Sequence, residues 1–182
     1  ELKREPVKET ATENTARIIG LLGADVMCVV EAEDRAGLKR FNAEVLRNVG
    51  VPLFQHVMLV DGNDDRGIDV GLMTRSGYEI AGMRSHVDDV DAKGVVFSRD
   101  CIEYAIATPR GNRLLVLLNH FKSKGYGDPA ASAAKRKRQA KRVREIYEQR
   151  LAEGFAYIAV VGDLNEVPEN AALDPLLRQN SS

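Results

Sequence analysis

An excess of charge of either sign is missing from this sequence. Its 182 residues carry 26 Lys and Arg against 27 Asp and Glu, with three His. Global charge therefore argues for no polyanionic partner, and a nucleic-acid contact would need a local patch. Cysteine is equally scarce: Cys28 stands inside an apolar run and Cys101 beside Asp100. Two cysteines so far apart read as buried thiols rather than a disulfide, and neither has the company of a zinc site. No apolar stretch approaches the roughly 18 residues a membrane span needs, no signal-peptide core opens the chain, and there is no internal repeat or low-complexity tract. What is there, 44% hydrophobic and 29% charged residues, suits a soluble globular protein with one sizeable core and no room for two. The sequence opens on a charged stretch, Glu1 to Glu9, and closes on Leu176 to Ser182 as if cut through a helix or linker. The expectation is a single incomplete domain, 1–182, from a longer protein, cytoplasmic or secreted, with no protein partner evident.

Punctuation and periodicity order the elements. Thr10 or Thr12 can cap a helix through Ile18, Ile19, Leu21 and Leu22 that Gly23 stops. Asp25 to Val30 reads as a buried strand, and Leu38, Phe41, Val45, Leu46 and Val49 recur at helical spacing over 36–49, ahead of Gly50 and Pro52. Strand-like runs follow at Phe54–Val60, Ile68–Thr74 and Tyr78–Ala81, while 82–100 is polar and resists assignment. Ile102–Thr108 and Leu114–Leu118 flank Pro109-Arg110-Gly111-Asn112, a hairpin turn. A long helix over Ala131–Glu153, a strand ending at Asp163 and a short helix after Pro168 complete the chain. Helices alternate with strands at first, but the middle is a run of hairpins. The expected fold class is α+β: a layered sandwich of mixed, largely antiparallel sheets flanked by helices.

Chemistry-bearing residues gather at the ends of these strands. In Tyr157-Ile158-Ala159-Val160-Val161-Gly162-Asp163-Leu164-Asn165 an apolar run reaches a glycine, which lets the chain turn, and then an acid and an amide two residues apart. If the strand pattern carries through, Asp163 and Asn165 share a side and Leu164 faces away. A carboxylate that holds a cation or orients water, beside an amide that donates to an anionic oxygen, suits phosphate ester chemistry. The pair could instead cap the helix after Pro168 through an Asx turn. Three other runs behave alike: one ends on Glu31, another carries Asp69, and a third ends Asn119-His120-Phe121-Lys122-Ser123-Lys124. Glu31 competes with a helix-cap role that Glu33 or Asp34 could also fill. His120 competes with a structural, hydrogen-bonded histidine. Asp69, costly if buried alone, could pair with Arg66 or Arg75 for structure or with His120 for function.

Taken together and in this order, the four segments resemble the endonuclease/exonuclease/phosphatase superfamily, the deoxyribonuclease I-like fold. Val161-Gly162-Asp163-Leu164-Asn165 is similar to that family's Gly-Asp-x-Asn motif, and the strand ending at Glu31 to its metal-binding glutamate strand. Asn119-His120 resembles its histidine-bearing strand end, and Arg66-Gly67-Ile68-Asp69-Val70 the strand that buttresses this histidine. The resemblance runs from about Asn14 to Pro168. It implies that Glu31 binds a divalent cation, magnesium or else manganese, and that Asp163 orients or activates the attacking water. It further implies that Asn165 donates to a nonbridging oxygen, that His120 stabilises or protonates the leaving oxygen and that Asp69 positions it. Asn119 would contact phosphate, and Lys122 and Lys124 would hold flanking phosphates. The substrate implied is a phosphodiester, in the first place nucleic acid, with inositol phosphates, sphingomyelin or a noncatalytic binding module as alternatives. The family also has a leading strand with an asparagine and a closing strand with an Asp-His pair. Neither is found here, no histidine follows Asn165, and this stretch alone is expected to be inactive or nearly so.

Two tempting features point elsewhere. Lys135 to Arg144 is strongly basic, yet Ala140, Val143, Ile146, Tyr147 and Leu151 form an apolar stripe, so the cations read as a solvated face. Asp61-Gly62-Asn63-Asp64-Asp65 resembles a calcium loop, but Arg66 and Leu72 stand where an EF-hand needs glycine and glutamate. A turn is expected.

Overall fold

The computed structural model describes residues 8–125 and 127–177. The expectations for the segments before Lys8 and after Leu177 lie outside the described residues. Helix α1 spans Glu9–Leu22 and stops at Gly23, whose φ of 59° is the left-handed cap expected there. Lys8, without a side-chain cap, occupies the N-cap position, so Thr10 and Thr12 lie inside the first turn instead of capping it. Strand β1 (Val26–Ala32) leads to α2 (Arg35–Arg40), which widens into π-helical turns over Phe41–Leu46. Asp34 caps α2, its Oδ1 accepting from the Gly37 N–H at 2.5 Å. That removes the competing cap role from Glu31.

Strands β2 (His56–Val60), β3 (Asp69–Thr74) and β4 (Glu79–Arg84) come next. The unassigned stretch 82–100 holds the end of β4 and a small hairpin of β5 (Val90–Asp91) and β6 (Gly94–Val95). β7 (Cys101–Ala107) and β8 (Arg113–His120) turn on the expected hairpin, where Thr108 N–H donates to Asn112 O and Gly111 N–H to Thr108 O, both at 2.9 Å. Helix α3 (Pro129–Ala152), capped by Asp128, crosses back to β9 (Tyr157–Asp163); α4 (Asp174–Leu177) starts well after Pro168.

One sheet has the order β1-β3-β2 and the other β4-β7-β8-β9; every pairing is antiparallel except β8 with β9. Strand alternation sorts their side chains into layers. Val70 and Leu72 of β3, Ile102, Tyr104 and Ile106 of β7, and Val116 and Leu118 of β8 fill the space between the sheets. The alternate residues Leu115 and Leu117 pack on Ala140, Val143 and Ile146 of α3, while Val57, Leu59 and Met73 pack on Ala16 and Ile19 of α1 and Leu38 of α2. Helix, sheet, sheet and helix thus form the sandwich, each fully buried aliphatic side chain contributing about 1.5–3 kcal/mol. Both thiols are free, and burial raises that of Cys28 to about 11 and that of Cys101 well above its ordinary value.

On α3 the buried face is Ser132, Arg136, Gln139, Ala140, Val143, Ile146 and Arg150, whereas Leu151 is exposed. The expected stripe is thus shifted at its end. Its cations are mostly paired rather than solvated: Arg136 with Glu166, Arg138 with Asp91, Arg142 with Asp89 and Glu145, Arg144 with Glu148.

Candidate active site

Register brings the two main candidates together. In the parallel β8–β9 pair His120 lies opposite Asp163 and Leu118 opposite Val161, so both polar residues continue the face that lines the inter-sheet core. His120 Nε2 is 4.0 Å from Asp163 Oδ2; the ring is 2% exposed, and the carboxylate side chain 51%. Gly162 makes this register possible. With φ of 119° it lies inside β9 rather than at a terminal turn, and a Cβ there would fall 1.9 Å from the Asn119 carbonyl oxygen. Just beyond, Asn165 adopts a left-handed φ of 51°. Its N–H donates to Asp163 Oδ1 at 2.8 Å, and its side-chain amide to Phe121 O at 3.1 Å. This is an Asx turn within the motif, with no helix starting from it. Among the described residues one amide hydrogen of Asn165 meets no acceptor, and Asp163 Oδ2 has only His120 Nε2, at 4.0 Å.

Burial, reinforced by Arg99, lowers the pKa of His120 from its ordinary 6.5, with Asp163 and Glu31 opposing. The ring is therefore neutral at pH 7, better suited to hydrogen bonding a developing charge than to donating a full proton. The charge of Glu31 acts on both His120 and Arg99, raising the pKa of each against the effect of burial. Glu31 has φ of 59° at an irregularity of β1, and its exposed carboxylate has no hydrogen bond or ion pair among the described residues.

The other candidates are placed differently from expectation. Asn119 faces the α3 side, is 0% exposed and donates to Leu117 O at 2.9 Å, so it cannot reach a phosphate. Lys124 is captured by Glu166, whose carboxylate also takes Arg136 at 3.0 Å. No hydrogen bond joins Asp69 to His120 among the described residues: Asp69 Oδ1 accepts from Gly62 N–H at 2.7 Å, while His120 Nδ1 is buried without a partner among them. Its structural alternatives fare no better, since Arg66 is on Asp64 and Arg75 lies over the Phe54 ring. Lys122 does border a cavity, together with Asp64, Arg66, Ser98 and Arg99. Asp64 binds guanidinium groups there instead of calcium. Arg99, 2% exposed, was hidden in the unassigned polar stretch. The apolar pair Val96-Phe97 just ahead of Arg99-Asp100 was the available sign that the segment is buried.

These features define a layered α+β sandwich with an acid, an amide and an imidazole at adjoining strand ends, the equipment of phosphoester chemistry. The chain belongs to the Endonuclease/Exonuclease/phosphatase family, whose sequence pattern matches residues 5–182. Among solved structures it is similar to truncated Caenorhabditis elegans TDP2, at 13% identity and a TM-score of 0.64, covering 88% of this chain and 57% of that one. It is also similar to a Bacteroides thetaiotaomicron mannosyl-6-phosphatase (16%, TM-score 0.63, 92% and 61%) and to sphingomyelinase C from Streptomyces griseocarneus (19%, TM-score 0.61, 92% and 62%). The chain thus spans less than two thirds of the length of these structures. No curated protein matches the sequence.

The family typically uses divalent metals. Among the described residues no three His, Cys, Asp or Glu side chains converge into a ready cage. The exposed, hard carboxylate of Glu31, unpaired among the described residues, nevertheless fits magnesium, which keeps several waters and needs only one or two carboxylates.

Proposed function

We propose that this chain carries part of the active site of a magnesium- or manganese-dependent phosphodiesterase, a nuclease acting by in-line hydrolysis. The observation that carries the reading is the in-register approach of His120 and Asp163, at 4.0 Å, on the face that also holds Asn165. Asp163 orients the attacking water through Oδ2, while the Asn165 N–H fixes Oδ1. Asn165, anchored on Phe121 O, aims its remaining amide hydrogen at a nonbridging oxygen. His120, neutral and shielded from water, hydrogen-bonds the leaving oxygen as charge develops. A cation held by Glu31 would supply charge neutralisation at the phosphoryl oxygens.

The choice of nucleic acid rests on Lys122, because Lys124 and most arginines of α3 are already paired. That pairing favours the family's phosphomonoester and phospholipid substrates as the second reading. The full-length protein should be assayed with magnesium on DNA, RNA, inositol phosphates and sphingomyelin. Expected is hydrolysis of DNA or RNA that Asp163→Asn lowers by about 10²–10⁴-fold. Absence of all phosphoester hydrolysis, or an Asp163→Asn variant of full activity, would overturn the reading.

A further inference from the structure

Arg136 is buried against its chemistry. It lies on the inner face of α3 with its side chain 4% exposed, and that of its partner Glu166 is 1% exposed. Arg136 Nε has no hydrogen-bond partner among the described residues. The cost of taking two charges out of water can exceed what their attraction returns, and a well-packed apolar pair of similar volume is often no less stable. Stability therefore gives little reason for a guanidinium at this position. Geometry gives a better one. Nη1 donates to Lys122 O at 3.1 Å and Nη2 to Glu166 Oε2 at 3.0 Å, so one rigid fork spans the two loops that leave β8 and β9.

Those loops carry the reacting residues. Phe121 and Lys122 follow His120 directly, and Glu166 follows Asn165. The loops are laced to each other: Phe121 N–H donates to Asp163 O at 2.8 Å, and Phe121 O accepts from Asn165 Nδ2 at 3.1 Å. Both are also laced to α3. Gln139, 0% exposed and one helical turn beyond Arg136, accepts from Lys122 N–H through Oε1 at 2.9 Å, so the two side chains grip the N–H and the carbonyl of one residue. On the other loop, Glu166 Oε1 accepts from Val167 N–H at 3.2 Å and pairs with Lys124. The hydrogen bond from Lys124, with Arg136 adding to it, holds the Glu166 carboxyl below the usual range, so it stays ionised. Asn165 itself has the left-handed φ of 51°, a conformation that persists where neighbours hold it. Its neighbours are Leu164, packed into the core beneath α3, and Glu166, tied to Arg136.

We propose that Arg136 and Glu166 are positioning residues, a latch from α3 that sets Asn165 and His120 relative to each other without touching substrate. The catalytic consequence rests on the phosphoester reading; the latch itself does not. In the full-length protein, Arg136→Met with Glu166→Leu replaces the pair by apolar side chains and should melt no lower than the parent. Amide hydrogen exchange in peptides spanning 119–124 and 162–167 should nevertheless quicken about tenfold or more, the equivalent of one charged hydrogen bond, while exchange across β7 stays unchanged. On the phosphoester that the protein hydrolyses, kcat should fall about 10²-fold with KM little moved, as expected when a group that acts in the transition state is misplaced. Arg136→Lys keeps the charge and lacks the fork, and it should quicken the same exchange even where the apolar pair melts low. Unchanged exchange in both loops, or an unaltered kcat while the loops loosen, would overturn the positioning role. Exchange that quickens equally across β7 would overturn it too, because the pair would then be a general stabilising contact. Local quickening in a protein that hydrolyses no phosphoester would overturn the reaction and leave the latch standing.

Discussion

Two clusters of charge in this molecule contrast in burial and in whether their partners are present. Between the four-stranded sheet and α3, Glu103 accepts from Arg150 Nε at 2.6 Å and Nη2 at 2.8 Å and lies 2.7 Å from His86 Nε2. Asp89 completes the network, 3.0 Å from His86 Nδ1 and 2.7 Å from Arg142 Nε. Despite desolvation, Arg150 and His86 hold Glu103 down at about 2. At the strand ends, by contrast, Glu31 and Lys122 have no partner among the described residues, and His120 Nδ1 is buried without one. A charge cluster closed upon itself fastens α3 to the sheet. In the open one the buried His120 Nδ1 costs free energy that a ligand, an ion or water can return, while exposed Glu31 is hydrated.

The contrast can be broken from either side. The largest effect is expected at the scaffold of the open cluster: Gly162→Ala drives a methyl into Asn119 O and should destabilise the chain by about 4 kcal/mol or more, read by urea unfolding. A loss below about 1 kcal/mol would show that β8 and β9 separate easily and that the register joining His120 to Asp163 is soft. Next comes the closed cluster. Glu103→Ala removes the partner of Arg150 Nε and Nη2 and leaves that 4% exposed guanidinium only Glu153, 2.7 Å from Nη1, and should cost about 3 kcal/mol by urea unfolding. A loss below about 1 kcal/mol would show that Glu153 alone satisfies Arg150 and that Glu103 does not fasten α3 to the sheet.

The smallest effect concerns pH. An unfolded histidine titrates near 6.5, and in the folded chain His120 lies lower. Above pH 6.5 the ring is neutral in both states and costs nothing. As the pH falls from there through the folded value, the unfolded chain takes up the proton first and stability drops. His120→Asn should remove that component, so the urea midpoints of variant and parent should diverge as the pH is lowered below about 6.5. Parallel midpoints would show that the ring is not held neutral by its surroundings.

Local patterns carried much of this architecture. Alternation in β8 and β9 is enough to put His120 and Asp163 on continuing faces, and helical spacing marked the core contacts of α2. The same alternation, once the neighbouring layers are known, puts Asn119 on the wrong side for a substrate. Gly162 was legible as a special position but not as the point where two strands touch, because that depends on a partner more than forty residues away. Arg99 escaped notice because its segment has no periodicity, and its burial comes from Asp64 and Phe121, which are distant in sequence.

By itself the sequence determined the order of elements, their buried faces and the residue types gathered at strand ends, since these follow from local sterics and from period-two and helical patterning. Only the tertiary structure decided which charges are already spent. Among the described residues Glu166 takes Lys124 and Arg136, Asp64 takes Arg66, and Lys122 Nζ, the Glu31 carboxylate and His120 Nδ1 have no hydrogen-bond or ion-pair partner. Whether a charge is satisfied depends on what the fold brings within about 4 Å of it, and no window of sequence contains that distance.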